Sequence, residues 1–125
     1  MGSTTSQQSG RTFQATAAAI DAYSVVAVDS SGTISVSGDN ATDLTIGAVT
    51  EDVAASGYGN VQLFNAGGTV QLLCGGDTIA VGAKVYTDGT GKIGTDSSNL
   101  AVGYALLASS ADGDVIEVVC KLHLA

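Results

Sequence analysis

The chain has no proline, no tryptophan, one histidine and two cysteines, and only four basic residues against twelve acidic ones in 125 positions. Each shortage excludes something. A net charge of −8 disfavours any role in which a polyphosphate backbone lies in a groove, so no nucleic-acid partner is expected. The single histidine, His123, alternates with Leu122 and Leu124 near the end of the chain, which suits a solvent-facing strand position better than a catalytic one. No G-x-S-x-G stretch supplies a nucleophile to go with it. Without proline, sheet edges must be blunted by charge, bulges or neighbouring subunits; with charged residues at 13% of the chain, subunits are the expected cover.

The cysteines do not form a disulfide framework. Cys74 and Cys120 each close an apolar run, "VQLLC" and "IEVVC", where a reduced thiol packs as a small hydrophobe. No apolar run approaches the length of a membrane span, and the first residues lack the basic and apolar segments of an export leader. A soluble protein made in a cytoplasm, with no membrane partner, is the expectation.

What is present is β-forming. Hydrophobic residues make up 45% of the chain while Phe and Tyr together number six, so the core must be Val, Ile, Leu and Ala. A chain of this length buries roughly 65% of its extended surface, enough for one domain without metal or disulfide. Short β-branched segments recur: "YSVVAV" (23–28), "GTISVS" (32–37), "DLTIGAV" (43–49), "NVQLF" (60–64), "TVQLLC" (69–74), "AKVYT" (83–87), "LAVGYALL" (100–107) and "DVIEVVCKLHL" (114–124). Gly, Asp, Asn and Ser separate them at the spacing of a small antiparallel barrel or sandwich. "ATAAAIDAY" (15–23) and "VTEDVAAS" (49–56) suggest a helical turn or two each.

The stretch "VDSSGTI" (28–34) returns as "TDGTGKI" (87–93). At an offset of 59, Ile20, Val26, Asp29, Gly32 and Ile34 fall on Ile79, Val85, Asp88, Gly91 and Ile93; at 56, Leu44 and Gly47 fall on Leu100 and Gly103. Two similar units, 20–65 and 79–122, are expected within a single β domain spanning 15–125. In each hairpin the Asp side chain opens the turn by accepting bonds from the backbone that follows, and the Gly takes the positive φ that closes it. Neither unit is expected to hide its apolar face alone; the two together are expected to close one barrel-like core.

Residues 1–14, "MGSTTSQQSGRTFQ", hold too little apolar surface to order themselves and are expected to form an extended arm. Other sequence features carry no chemistry. "DGTGKI" lacks the first glycine of a phosphate loop and the hydroxyl after its lysine. Asp112 and Asp114 lack the remaining oxygens of a calcium loop, so with Gly113 they read as a turn. The triplet at 40–42 fits glycan attachment only in a secreted protein. Tyr23, Tyr58, Tyr86 and Tyr104 read as barrel-end or interface packing. Neither a catalytic residue, nor a cofactor, nor a metal site is expected, and the chain is not expected to be an enzyme.

The stretch "IAVGAKVYTDGTGKIGT" (79–95) followed by "LAVGYALLASSADGDVIEVVCKL" (100–122) resembles the small capsid decoration, or cement, proteins of tailed bacteriophages. Gly82, Val85, Tyr86, Asp88, Gly91, Lys92, Gly103, Gly113 and Asp114 stand where that family carries its hairpin, return strand and closing strand; Ala83 stands where an Asp is usual. The resemblance covers about 15–122. It implies an all-β, barrel or tulip-like fold, a homotrimer, and attachment to the outer surface of the phage head. It also implies an N-terminal arm laid on the major capsid protein, here drawing on Thr4, Thr5, Gln7, Gln8, Arg11, Thr12 and Phe13. A phage tail or baseplate subunit and a glycan-binding adhesin module are the competing expectations.

Overall fold

A computed structural model describes residues 10–37, 44–64 and 68–120. The expected arm residues Thr4, Thr5, Gln7 and Gln8, together with His123 and the triplet at 40–42, lie outside those residues. The described residues form ten strands and no helix: β1 (Gly10–Ala15), β2 (Val25–Val28), β3 (Thr33–Val36), β4 (Leu44–Val49), β5 (Tyr58–Leu63), β6 (Val70–Leu73), β7 (Lys84–Thr87), β8 (Ile93–Gly94), β9 (Ala101–Ala105) and β10 (Val115–Cys120).

The first five strands close into a barrel in the order β1-β3-β2-β4-β5, and the last five form a sheet in the order β6-β10-β9-β7-β8. The two are built alike. Parallel pairing of Ala15 with Ile34 joins β1 to β3, and a parallel bridge between Cys74 and Ile93, each 59 residues further on, joins the end of β6 to β8. A register irregularity between Val26 and Ala27 in the β2–β4 ladder returns between Val85 and Tyr86 in the β7–β9 ladder. Such bulges bend the strands enough to curl a five-stranded sheet. Gly47 and Gly103 sit where curling brings strands closest, since a Cβ on either would lie 2.1 Å from the carbonyl oxygen of Gln62 or Val119.

Three expectations need correction. The helical turns are absent: Ile20 and Val53 exchange backbone bonds of 2.8 Å across an isolated bridge, as Ile79 and Ser109 do at 2.8 and 2.9 Å. These amides are committed across the barrel end, and short Ala-rich segments cannot outbid that pairing. Second, residues 10–14 are not an extended arm. They belong to β1, antiparallel to β5 with Phe13 opposite Gly59 and Arg11 opposite Val61. The units therefore begin one strand earlier than 20 and 79, at β1 and β6. The Thr and Phe of this stretch do have strand preference, but with a partner in the same chain.

Third, each unit encloses a core of its own. Ala15, Ile20, Val26, Ile34, Val49, Val53 and Val61 fill the first barrel. Val70, Leu72, Cys74, Ile79, Val85, Ile93, Val102, Ala105, Ile116 and Val118 line the curled sheet of the second unit, joined by Val25, Ala48 and Phe64 from the outside of the first. Those three are the apolar seam between the units. Closure of the first unit removes its sheet edges without proline, whereas the second unit is a five-stranded sheet ending in β6 and β8.

Candidate functional site

Among the acidic residues, the most distinctive part of the composition, Asp29, Asp88, Asp96 and Asp114 fix turns, while Asp52, Asp77 and Asp112 bond across the fold. Asp29 accepts from the amides of Ser31 and Thr33 at 2.9 and 3.1 Å and from the Thr33 hydroxyl at 2.7 Å. The Thr33 hydroxyl, with the amides behind it, holds the Asp29 carboxyl below its ordinary range. Asp88 accepts from the amide and hydroxyl of Thr90 at 2.9 and 2.7 Å. Asp96 binds the amide and hydroxyl of Ser98, whose hydroxyl lowers its pKa in the same way. Asp77 takes the amide of Thr95 at 2.8 Å, and Asp52 that of Ala22 at 2.8 Å. Asp114 accepts from Ser109, Ser110 and Ala111, each at 3.2 Å, while Asp112 pairs with Lys92 at 2.9 Å. That ion pair raises the Lys92 pKa, with smaller contributions from Asp88 and Asp21. Among the described residues, no three His, Cys, Asp or Glu side chains group to hold a metal ion.

The two Asp-to-Gly turns share a shape and differ in surroundings. Gly32 and Gly91 take φ values of +80° and +87°. Around Gly32 nothing lies within 4 Å of where a Cβ would stand, whereas at Gly91 the Val36 Cγ1 would be 2.9 Å away and the Ser24 Cβ 3.2 Å. The second turn is driven into the side of the first barrel, where the Gly91 carbonyl accepts from the Val25 amide at 2.6 Å. Gly113, at φ +92°, turns the chain into β10 with no neighbour near its missing Cβ.

Of the capsid-contact residues expected on the arm, Arg11 and Thr12 are exposed on β1. Phe13 is half-buried against the first core, with the Arg11 guanidinium 4.9 Å from its ring centroid. It is therefore engaged within its own barrel and is not a free apolar anchor. Between the units a groove of about 250 Å³ is lined by Tyr23, Thr50, Gln62, Thr69, Val70 and Gln71. Its lining has no carboxylate, imidazole or thiol; its polar groups are the Tyr23 phenol, the Thr50 and Thr69 hydroxyls and the amides of Gln62 and Gln71. Both thiols are free; burial raises the Cys74 pKa and pushes that of Cys120 up to about 12.

The sequence reading missed one feature of the second unit's outer face. Lys84 lies opposite Tyr104, and Tyr104 opposite Val119, in one row across β7, β9 and β10. Tyr104 is 42% exposed and Val119 39%. The signal was present in the repeat offset, because the matching row of the first unit is Val25, Ala48 and Gln62.

The fold is thus two similar β units, with several carboxylates fixing turns and exposed residues on the outer faces. The fold is similar to that of the head fiber gp8.5 N base of bacteriophage phi29, with a TM-score of 0.68 and 21% identity over 90% of this chain and 94% of that one. No curated protein matches the chain. The phage cement protein family matches residues 5–122, and the chain belongs to that family. Membership makes it a capsid-associated structural component of a phage.

Proposed function

We propose that the chain is a capsid cement protein that binds the outer surface of a phage head, as a homotrimer on the major capsid protein, and stabilises the shell. The observation that carries this reading is the family match over nearly the whole chain. The body supports it, because a closed barrel packed on a curled sheet, with many of its carboxylates bonded within the chain, suits a clamp that needs no chemistry. Contact with the shell is assigned to the leading segment with Thr4, Thr5, Gln7 and Gln8, together with Arg11 and Thr12 where β1 begins. Several weak contacts on one closed oligomer reinforce one another, since docking of the first raises the effective concentration of the rest.

The test is co-sedimentation with expanded, undecorated heads, comparing the full chain with one that starts at Gly10. The full chain is expected to sediment with heads and to raise their resistance to heat, whereas the shortened chain stays folded in the supernatant. Equal occupancy by both would remove the leading segment from the contact. Failure of the full chain to bind any head would contradict the cement reading itself.

A further inference from the structure

The two units repeat each other's pairing, but their outer faces meet different fates. In the first unit, Val25 and Ala48 stand opposite each other across β2 and β4, and the pairing of Ala48 with Gln62 extends the row to β5. The second unit covers this row. Val25 is fully buried, Ala48 is 1% exposed, and both pack with Val70 of β6. The Gly91 turn caps it by accepting from the Val25 amide. In the second unit the same three positions hold Lys84, Tyr104 and Val119 in the same register. Here nothing in the described chain covers them, and Leu106, next along the surface, is 41% exposed. Meanwhile the first unit keeps the two elements that do the covering elsewhere: β1, which matches β6, and the Gly32 turn, which has the conformation of the Gly91 turn with open space around it.

The geometry points to a second copy of this chain as the occupant: the outer face of β1 and the Gly32 turn of one copy dock on the Lys84–Tyr104–Val119 row of the next, as β6 and the Gly91 turn dock on Val25 and Ala48 within one chain. The incoming turn carries Asp29, opposite in sign to Lys84, as the Gly91 turn that docks within one chain carries Asp88. Tyr104 supplies the large, two-torsion side chain that interfaces favour. The contact is heterologous, since each copy offers one of each surface, so copies close into a ring or run on as a filament. This deepens the trimeric reading above by naming its surface, and rests on that reading only for the number of copies in the ring.

The experiment is light scattering on the full chain with two variants. Tyr104→Asp spoils the row. Gly32→Asn keeps a residue type that tolerates positive φ while placing atoms where the turn must approach its neighbour. Wild type is expected to scatter as a multiple of the 12.3 kDa chain and each variant as the single chain. An equimolar mixture of the two variants regains dimers, because one intact pair of surfaces remains. Circular dichroism checks the fold of each variant, and Val119→Lys repeats the test should Tyr104→Asp not fold. A wild type that stays monomeric at every concentration, or variants that assemble like wild type, would overturn the proposal. Head co-sedimentation is read separately: assembly without head binding contradicts the cement reading alone, and monomeric variants that bind heads at full occupancy leave cement function standing without this interface.

Discussion

The Val25 amide donates to the Gly91 carbonyl across 2.6 Å, joining a strand of one unit to a turn of the other. Its counterpart turn, at Gly32, has the same backbone conformation, with open space among the described residues where a Cβ would stand. Replacing the two glycines by alanine therefore separates strain from packing. Gly32→Ala should cost about 1–2 kcal/mol, the penalty for a left-handed non-glycine residue. Gly91→Ala adds overpacking against Val36 and Ser24, for a total of about 2–5 kcal/mol. Urea unfolding of the two variants checks the order; equal losses would mean that the seam yields freely.

Thr87 is 1% exposed, and its hydroxyl has no hydrogen-bond partner among the described residues. The matching position in the first unit is Val28, in the strand that corresponds to β7. Removing an unsatisfied buried hydroxyl while keeping the side-chain shape should stabilise, so Thr87→Val is expected to raise stability by about 1 kcal/mol. A thermal melt unchanged or lowered by this substitution would show that the hydroxyl is satisfied in solution.

Ser56 holds φ at +59° on an exposed turn, where the second unit places Gly113 at +92°. Ser56→Gly should relieve left-handed strain of about 1 kcal/mol, partly offset by the greater freedom of glycine in the unfolded chain. Calorimetry is the check, with a small rise in melting temperature expected.

The thiols make a prediction about pH. Burial lifts Cys120 from 9.0 to about 12 and raises Cys74 as well. Between those limits the folded chain keeps a proton that the unfolded chain has lost. The associated stability is thus fully present below pH 9 and falls as pH rises towards 12. Cys120→Val should flatten that decline. In the native protein at pH 8 both thiols should resist a disulfide reagent, and both should react on unfolding in urea.

Much of the fold was legible locally. Strand segments, the Asp-to-Gly turns and the offsets linking Ile20 to Ile79 and Gly47 to Gly103 all follow from β-branched patterning and turn chemistry. What was not legible was long-range. Nothing near Gly10–Ala15 announces that it pairs with β5 some 45 residues away, because a polar Thr- and Gln-rich strand looks like a tail until its partner is known. Ala-rich segments at 15–23 and 49–56 have local helix propensity, but the Ile20–Val53 bridge overrides it. The difference between Gly32 and Gly91 lies wholly in what each turn meets. The exposed row of Lys84, Tyr104 and Val119 was least legible, since it emerges only from the register of β7, β9 and β10.

That placement of β1 fixes how truncations behave. A chain lacking residues 1–14 loses β1, opens the first barrel along β3 and β5, and exposes the core around Ile34 and Val61. It should unfold at much lower urea or aggregate, whereas a chain starting at Gly10 should keep wild-type cooperativity. Equal stability of the two would show that β1 adds nothing to the barrel.

The most direct test is electron cryomicroscopy of expanded heads incubated with the purified full chain. The cement reading predicts added density on the outer surface of the shell, at repeated symmetry positions, into which the paired β units fit. Heads that remain bare under saturating protein, or density confined to the tail, would contradict it.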